Sequence, residues 1–257
     1  MNLWRLARRC FWTLGLDIQR FHPSRSPIAR RRLLFNTYQI ETVLDVGANL
    51  GQFAEELRED IRYSGRIFSF EPLRAAYSIL DAKAQRDPLW KTFNFALGNA
   101  EENRTINIAK NSQSSSLLGM LPSHLQSAPE SQYVGKETVS VRKLDSLFHA
   151  ICSDSKNVYL KIDTQGYESF VLEGASNSLP RISTIQLELS LIPLYEGQVL
   201  FRGLFDTLAN AGYVLAAIEP GFTASTGELL QLDGIFHRYR SDALLDDLRS
   251  RTALHDV

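Results

Sequence analysis

Cysteine is scarce in this chain of 257 residues: Cys10 and Cys152 are the two present. They cannot build a disulfide framework and show no zinc-type spacing, so a disulfide-stapled secreted domain is excluded and a reducing, cytoplasmic compartment is expected. Charge of one sign is also lacking. The 28 Lys and Arg residues offset 29 Asp and Glu to a net charge of -1, so no global positive field recruits nucleic acid. No apolar run reaches the roughly 18 residues of a bilayer-crossing helix. The five histidines, His22, His124, His149, His237 and His255, have no metal-ligand spacing, and no metal site is expected. A G-x-G-x-x-G signature and internal repeats are both missing, so a dinucleotide is not the first choice of ligand.

What remains is an ordinary globular composition, 44% hydrophobic and 22% charged, in one large domain or one domain with an appendage. Its most informative run is Thr42-Val43-Leu44-Asp45-Val46-Gly47-Ala48-Asn49-Leu50-Gly51. An apolar strand ends beside an acid, a small-residue turn follows, and a helix begins near Gln52. Helix starts present unpaired N–H groups and partial positive charge. Gly47 and Gly51 allow a sharp bend and a close-lying ligand. Such turns hold nucleotide-like cofactors in doubly wound α/β proteins.

The pattern continues as strand and helix in alternation. Strands are expected at 42–46, 66–70, 92–97, 158–163 and 183–189, with helices at 52–57, 75–84, 144–150, 167–174 and 201–211 between them. That order argues for a parallel sheet with helices on both faces. Residues 213–218 and 229–236 lack an intervening helix and read as an antiparallel pair at the sheet edge. Two extra strands, 105–109 and 138–141, flank a polar stretch with Ser114-Ser115-Ser116, Pro122, Pro129 and Gly135. A long irregular segment in a compact domain is a functional lid or a linker. The first is preferred here. The organisation is therefore a basic-aromatic arm at 1–40, a main domain at 41–240 with a lid-like insertion at 109–136, and a charged tail at 241–257.

Within the arm, Arg5, Arg8, Arg9, Arg20, Arg25, Arg30, Arg31 and Arg32 face one acid, Asp17, and are interleaved with Trp4, Leu6, Phe11, Trp12, Leu14, Leu16, Ile18 and Phe21. Residues 11–16 are short for a signal-peptide core. Two readings remain: an amphipathic element peripheral to an anionic membrane, or a helix that packs Trp and Phe onto the main domain. The second is preferred, since basic amphipathic helices are common.

Acids gather at strand ends: Asp45, Glu71, Asp163 and Glu188. Ligands of open α/β sheets bind beyond the carboxyl ends of the strands, and buried carboxylates are costly unless they are paired. Glu71 lies about 20 residues after the glycine turn, where an acid accepts the hydroxyls of a ribose. Lys161 lies two residues before Asp163, on the same face of the strand, and can pair with it.

These motifs, together with Phe70-Glu71-Pro72, Ala96-Leu97-Gly98-Asn99, Leu160-Lys161-Ile162-Asp163-Thr164-Gln165-Gly166-Tyr167-Glu168 and Val171-Leu172-Glu173-Gly174-Ala175, resemble in order the FkbM family of S-adenosylmethionine-dependent methyltransferases across residues 42–238. The resemblance implies a Rossmann-like class I methyltransferase fold, with a doubly wound seven-stranded sheet and an antiparallel last strand. It implies S-adenosylmethionine as cofactor. The methionine half would lie on the Gly47–Gly51 loop, the ribose on Glu71, and the adenine beside Asn94 to Ala96, with Asp45, Asn49 and Asp163 also among the cofactor-binding residues. It further implies O-methylation of a hydroxyl on a sugar, glycolipid or polyketide-type small molecule. The chain departs from the family at Gln165, where an acid is common.

An alcohol must lose its proton during methyl transfer. Asp163 is the leading base or orienting group, with Lys161 its partner and Glu188 and Glu168 secondary candidates. The alternatives are that Asp163 caps the next helix, Lys161 is a structural ion pair, Glu188 orients others, Asp45 braces the turn, Asn49 satisfies the loop backbone and Glu168 complements a helix dipole. His124 is a remote candidate base. An NAD(P)-dependent oxidoreductase is disfavoured by the missing third glycine, and a non-catalytic binding module on the same fold is the other competitor. The sequence carries no signal for oligomeric state.

Overall fold

The computed structural model describes residues 3–18 and 20–239. The expected charged tail at 241–257, and the side chains of Trp4 and Leu6, lie outside that description. Two N-terminal helices, α1 (Leu3–Trp12) and α2 (Pro27–Thr37), precede the sheet. Ser26 caps α2 by accepting the Ala29 N–H, and Pro27 opens the helix, where its missing N–H costs nothing. The alternating region then runs β1 (Thr42–Val46), α3 (Gln52–Glu56), β2 (Arg66–Phe70), α4 (Arg74–Ala84) and β3 (Trp90–Phe93). After an excursion the chain continues through α6 (Leu144–Cys152), β7 (Val158–Ile162), α7 (Glu168–Glu173), β8 (Ile182–Ser190), α8 (Phe201–Asn210), β9 (Val214–Pro220) and β10 (Gln231–His237).

The main sheet has seven strands in the order β3-β2-β1-β7-β8-β10-β9. β10 lies between β8 and the edge strand β9 and runs antiparallel to both. The last two strands are thus paired at the edge as expected, with β10 inserted rather than outermost. β1 pairs with β2 on one side and β7 on the other, both parallel. The chain order reverses there, opening a crevice at the carboxyl ends of β1 and β7.

Side chains alternate across the sheet. Leu44, Val46, Leu160, Ile162, Ile185 and Leu187 enter one apolar cluster. Val43, Ile67, Tyr159 and Ile235 enter another, shared with Phe35 of α2, Ala54 of α3 and Leu80 of α4. The alternation puts Asp45, Lys161, Gln186, Glu188 and Asp233 on that second face, toward its carboxyl end.

The excursion departs from the sequence expectation. The anticipated strand 92–97 is two pieces. β3 stops at Phe93, and β4 (Ala96–Leu97) joins a separate three-stranded sheet, β4-β6-β5. Asn94 makes the break, since its side-chain amide donates to the Glu71 and Pro72 carbonyl oxygens at 3.0 and 2.9 Å. The hairpin strands β5 (Glu102–Ala109) and β6 (Tyr133–Arg142) are longer than expected, and the insertion between them carries the short helix α5 (Pro122–Ser127). Much of β6 is exposed, which leaves little apolar periodicity to read.

Candidate functional site

Gly47 (φ +78°), Asn49 (+46°) and Gly51 (+88°) carry the bend after β1. A Cβ on Gly47 would lie 1.8 Å from the Asp163 carbonyl oxygen, so glycine alone lets the loops after β1 and β7 pass. Gly51 opens α3, and its missing Cβ makes room for Leu80 and Trp90, each 2.9 Å from where it would stand. It lines neither of the cavities described below.

The Glu71 carboxylate reaches back to the bend and accepts the Asn49 N–H at 2.8 Å and the Leu73 N–H at 2.9 Å. Burial pushes its pKa up to about 7, against the pull of those two bonds. Gly47, Asn49, Glu71, Ala96, Asp163 and Tyr167 line one cavity. The insertion closes it, contributing Ser112, Gln113, Ser115, Ser116 and Leu117. Ser112 Oγ donates to Asn49 Oδ1 at 3.2 Å, and Ser116 Oγ to the Gln165 carbonyl at 2.7 Å. Ser115 and Ser116 of the serine run therefore stand on the cavity wall.

A second cavity lies on the α2–α3 face. Its wall carries Arg31, Glu56, Lys161, Gln186, Glu188 and Asp233, and it shares Gly47, Asn49, Gln113, Asp163 and Gln165 with the first. The lining follows from the alternation above.

Lys161 stands opposite Asp45 in the β1–β7 register. Its Nζ is 3.3 Å from Asp163 Oδ2 and 3.5 Å from Asp45 Oδ1. Burial opposes its charge, but the carboxylates of Asp163, Asp45 and Asp233 outweigh burial and hold its pKa above the ordinary lysine value. Asp45 is shifted the other way. Burial raises its pKa despite Lys161 and the 3.2 Å bond from Ser69. The two shifts differ because Lys161 draws on three carboxylates while Asp45 has one cation. Asp45 is fully buried and lines neither cavity, so it braces Lys161 from below.

Gln165, at φ +55°, ties the site together. Its Nε2 donates to Asp163 Oδ1 at 2.9 Å and Glu188 Oε2 at 2.8 Å, and its Oε1 accepts from the Tyr195 hydroxyl at 2.7 Å. Two carboxylates on one side require the NH₂ end there, which fixes the amide orientation. Where the family commonly has an acid, this chain has a donor that holds two acids together. Burial, then repulsion from Asp163, Glu168 and Asp233, raises the Glu188 pKa.

Other candidates fall elsewhere. Glu168 accepts the Thr164 and Gly166 N–H groups at 2.9 and 3.2 Å and lines neither cavity. It pins the 163–166 bend, and burial lifts its pKa to about 7. His124 is buried edge-to-face against Tyr195, 5.0 Å between ring centroids, and burial lowers its pKa. His237 stacks on Tyr38 and bonds Thr184. Among the described residues no group of three or more His, Cys, Asp and Glu side chains could hold a metal ion. Sequence reasoning missed Arg31, Gln113, Gln186, Tyr195 and Asp233. Asp233 had a visible signal, as an acid inside an apolar strand, whereas Arg31 was one arginine among many.

A glycine bend and a ribose-type acid at the switch point of this seven-stranded sheet define a class I methyltransferase. The chain belongs to the FkbM methyltransferase family, and residues 45–215 match its Methyltransferase FkbM domain. It is 28% identical over 177 residues to the 2-O-methyltransferase NoeI of Sinorhizobium fredii, covering 65% of this chain and 71% of that protein. Among solved structures it resembles a methyltransferase FkbM from Methylobacillus flagellatus (TM-score 0.43, 15% identity, 77% of this chain), of whose length the match spans 43%. It also resembles Aeropyrum pernix fibrillarin with bound S-adenosyl-L-methionine (TM-score 0.45, 10% identity, 84% of this chain and 76% of that one).

S-adenosylmethionine is the cofactor of this class, and the residues present fit it. The side-chain nitrogen of Asn49 is buried with no partner, an unspent donor on the cavity wall. Gly47 and the Glu71 carboxylate line the same cavity.

Proposed function

We propose that this methyltransferase acts on a hydroxyl of a polyhydroxylated acceptor, a sugar or the glycan of a glycolipid, with a polyketide-type hydroxyl the less polar member of the same class. The carrying observation is the juxtaposition of the two cavities at Asp163. Its side chain is 35% exposed and lines both, beside an acceptor cleft bordered by amides, carboxylates and two cations. Such a surface matches an acceptor dense in hydroxyl groups. The NoeI relative, a 2-O-methyltransferase, supports the same chemistry.

When bound, S-adenosylmethionine supplies an electrophilic methyl group for in-line displacement. The protein supplies alignment and proton handling. Glu71 would accept the ribose hydroxyls, Gly47 and Asn49 of the bend would hold the methionine half, and Ala96 would border the adenine. Asp163 receives the acceptor hydroxyl's proton or orients that hydroxyl. Lys161 fixes one oxygen of Asp163 and Gln165 the other, while Glu188 is held beside them as a further acceptor or donor.

Family membership removes the oxidoreductase alternative. The non-catalytic reading loses its footing where Gln165 organises the acids instead of replacing one. The test is transfer of labelled methyl from S-adenosylmethionine to free and lipid-linked saccharides, with the product's methyl position read by NMR. Methyl on a saccharide oxygen, abolished by Asp163→Asn, is expected. Methyl on nitrogen or carbon would overturn the reading.

A further inference from the structure

The N-terminal segment contradicts the preferred expectation that its aromatics pack onto the domain. Phe11, Trp12, Leu14, Leu16, Ile18 and Phe21 are between 36% and 71% exposed. They are nevertheless held in a defined shape. Arg8 forks onto both oxygens of Asp17 at 2.6 and 2.7 Å, the Trp12 indole N–H donates to the same carboxylate at 2.9 Å, and the Arg8 guanidinium lies 5.3 Å from the Trp12 ring centroid. Gly15 (φ +72°) turns the chain, and the Leu14 and Leu16 N–H groups both return to the Phe11 carbonyl. The clasp engages Asp17, the one acid of residues 1–40. Arg5, Arg9, Arg20, Arg25 and Arg32 are exposed.

Clustered apolar and aromatic side chains interleaved with cations match the interface of an anionic bilayer. We propose that residues 5–21 are a docking element for anionic membrane, seated at headgroup depth by Phe11, Trp12 and their apolar neighbours and held by the arginines. Among the described residues no helix is long and apolar enough to cross a membrane, so the contact is peripheral. The element joins α2, whose Arg31 lines the polar cleft and bonds Glu56 and Glu219, and whose Arg30 bonds the Ile218 carbonyl. Docking would anchor the chain beside the helix that supplies Arg31 to the cleft. That the acceptor is lipid-linked rests on the function proposed above; the docking itself does not.

The test is co-sedimentation of the full chain with phosphatidylglycerol-containing and pure phosphatidylcholine vesicles, alongside light scattering without lipid. Binding to the anionic vesicles that weakens with added salt is expected, with little binding to the neutral ones. Phe11→Ser with Trp12→Ser, and separately Arg5→Glu with Arg9→Glu, should each weaken binding by roughly tenfold or more, with an unchanged circular dichroism spectrum. Absent binding, equal binding to neutral vesicles, or binding untouched by both pairs of changes overturns the proposal. So does a dimer dispersed by the aromatic changes in a chain that ignores lipid, which would make a second copy the occupant. Methyl transfer to free saccharide is assayed in parallel, so failure of docking and failure of the proposed chemistry are read separately.

Discussion

Lys161→Met keeps the length of the side chain and removes the ammonium, leaving Asp45 buried without a counter-charge. Asp45 is 0% exposed, its Oδ1 has no hydrogen bond, and its Oδ2 keeps only the 3.2 Å bond from Ser69. Stranding one member of a buried pair costs about 3–5 kcal/mol. Asp45 can escape by taking a proton, at about 1.4 kcal/mol for each unit between its ordinary pKa and the solution pH, which limits the loss near pH 5 but gives no relief at pH 8. The sign with pH follows. Burial already lifts the Asp45 pKa above its ordinary value, and losing Lys161 lifts it further. An acid whose folded pKa is raised destabilises progressively as pH climbs from the unfolded toward the folded value, and not below the unfolded value. The contribution of Lys161 itself is flat across this range, because a raised lysine pKa stabilises fully at any pH below the ordinary one. Urea unfolding should therefore show a deficit of about 3–5 kcal/mol at pH 8, shrinking toward pH 5, and Asp45→Asn on the same background should recover most of it. An unchanged midpoint at pH 8, or a deficit that grows on acidification, would refute the argument.

Asp163→Asn should lower turnover by at least about a hundredfold while calorimetry still detects cofactor binding; near-normal turnover would remove Asp163 from its role. Because burial sets the Glu71 pKa at about 7, its carboxylate is protonated below that value. Affinity for S-adenosylmethionine should rise with pH through 7, by up to roughly tenfold per unit on the acid side, and Glu71→Gln should flatten the dependence. Gln165→Glu replaces a shared donor with a third carboxylate beside Asp163 and Glu188. Turnover should drop on the order of tenfold or more at pH 8 and recover partly near pH 6, as the new carboxyl regains a proton to donate; a pH–rate profile parallel to the parent would dismiss the positioning role.

The main sheet was legible because its strands are local and strongly patterned: Thr42–Val46 and Val158–Ile162 are buried throughout and read as apolar runs. The bend at Gly47 was legible because its residue types are dictated by backbone geometry. The break at Asn94 was not, since a side chain capping two carbonyls 22 and 23 residues away leaves no periodicity. The extent of the hairpin was hidden by the exposure of β6. The candidate acids were found from their places at strand ends, but their division of labour was not. Asp45 and Glu168 differ from Asp163 in burial and partners, which depend on register and on the loops around them. The bridging amide of Gln165 looked in the sequence like a lost acid, and its partners Glu188 and Tyr195 lie more than 20 residues on.

The most direct test of the central claim, that the bend at Gly47 and the carboxylate of Glu71 form one cofactor pocket, is calorimetric titration of the folded protein with S-adenosylhomocysteine. A single saturable binding heat, lost in Glu71→Ala with the fold intact, is predicted. No heat from the parent protein, or undiminished heat from the variant, would contradict it.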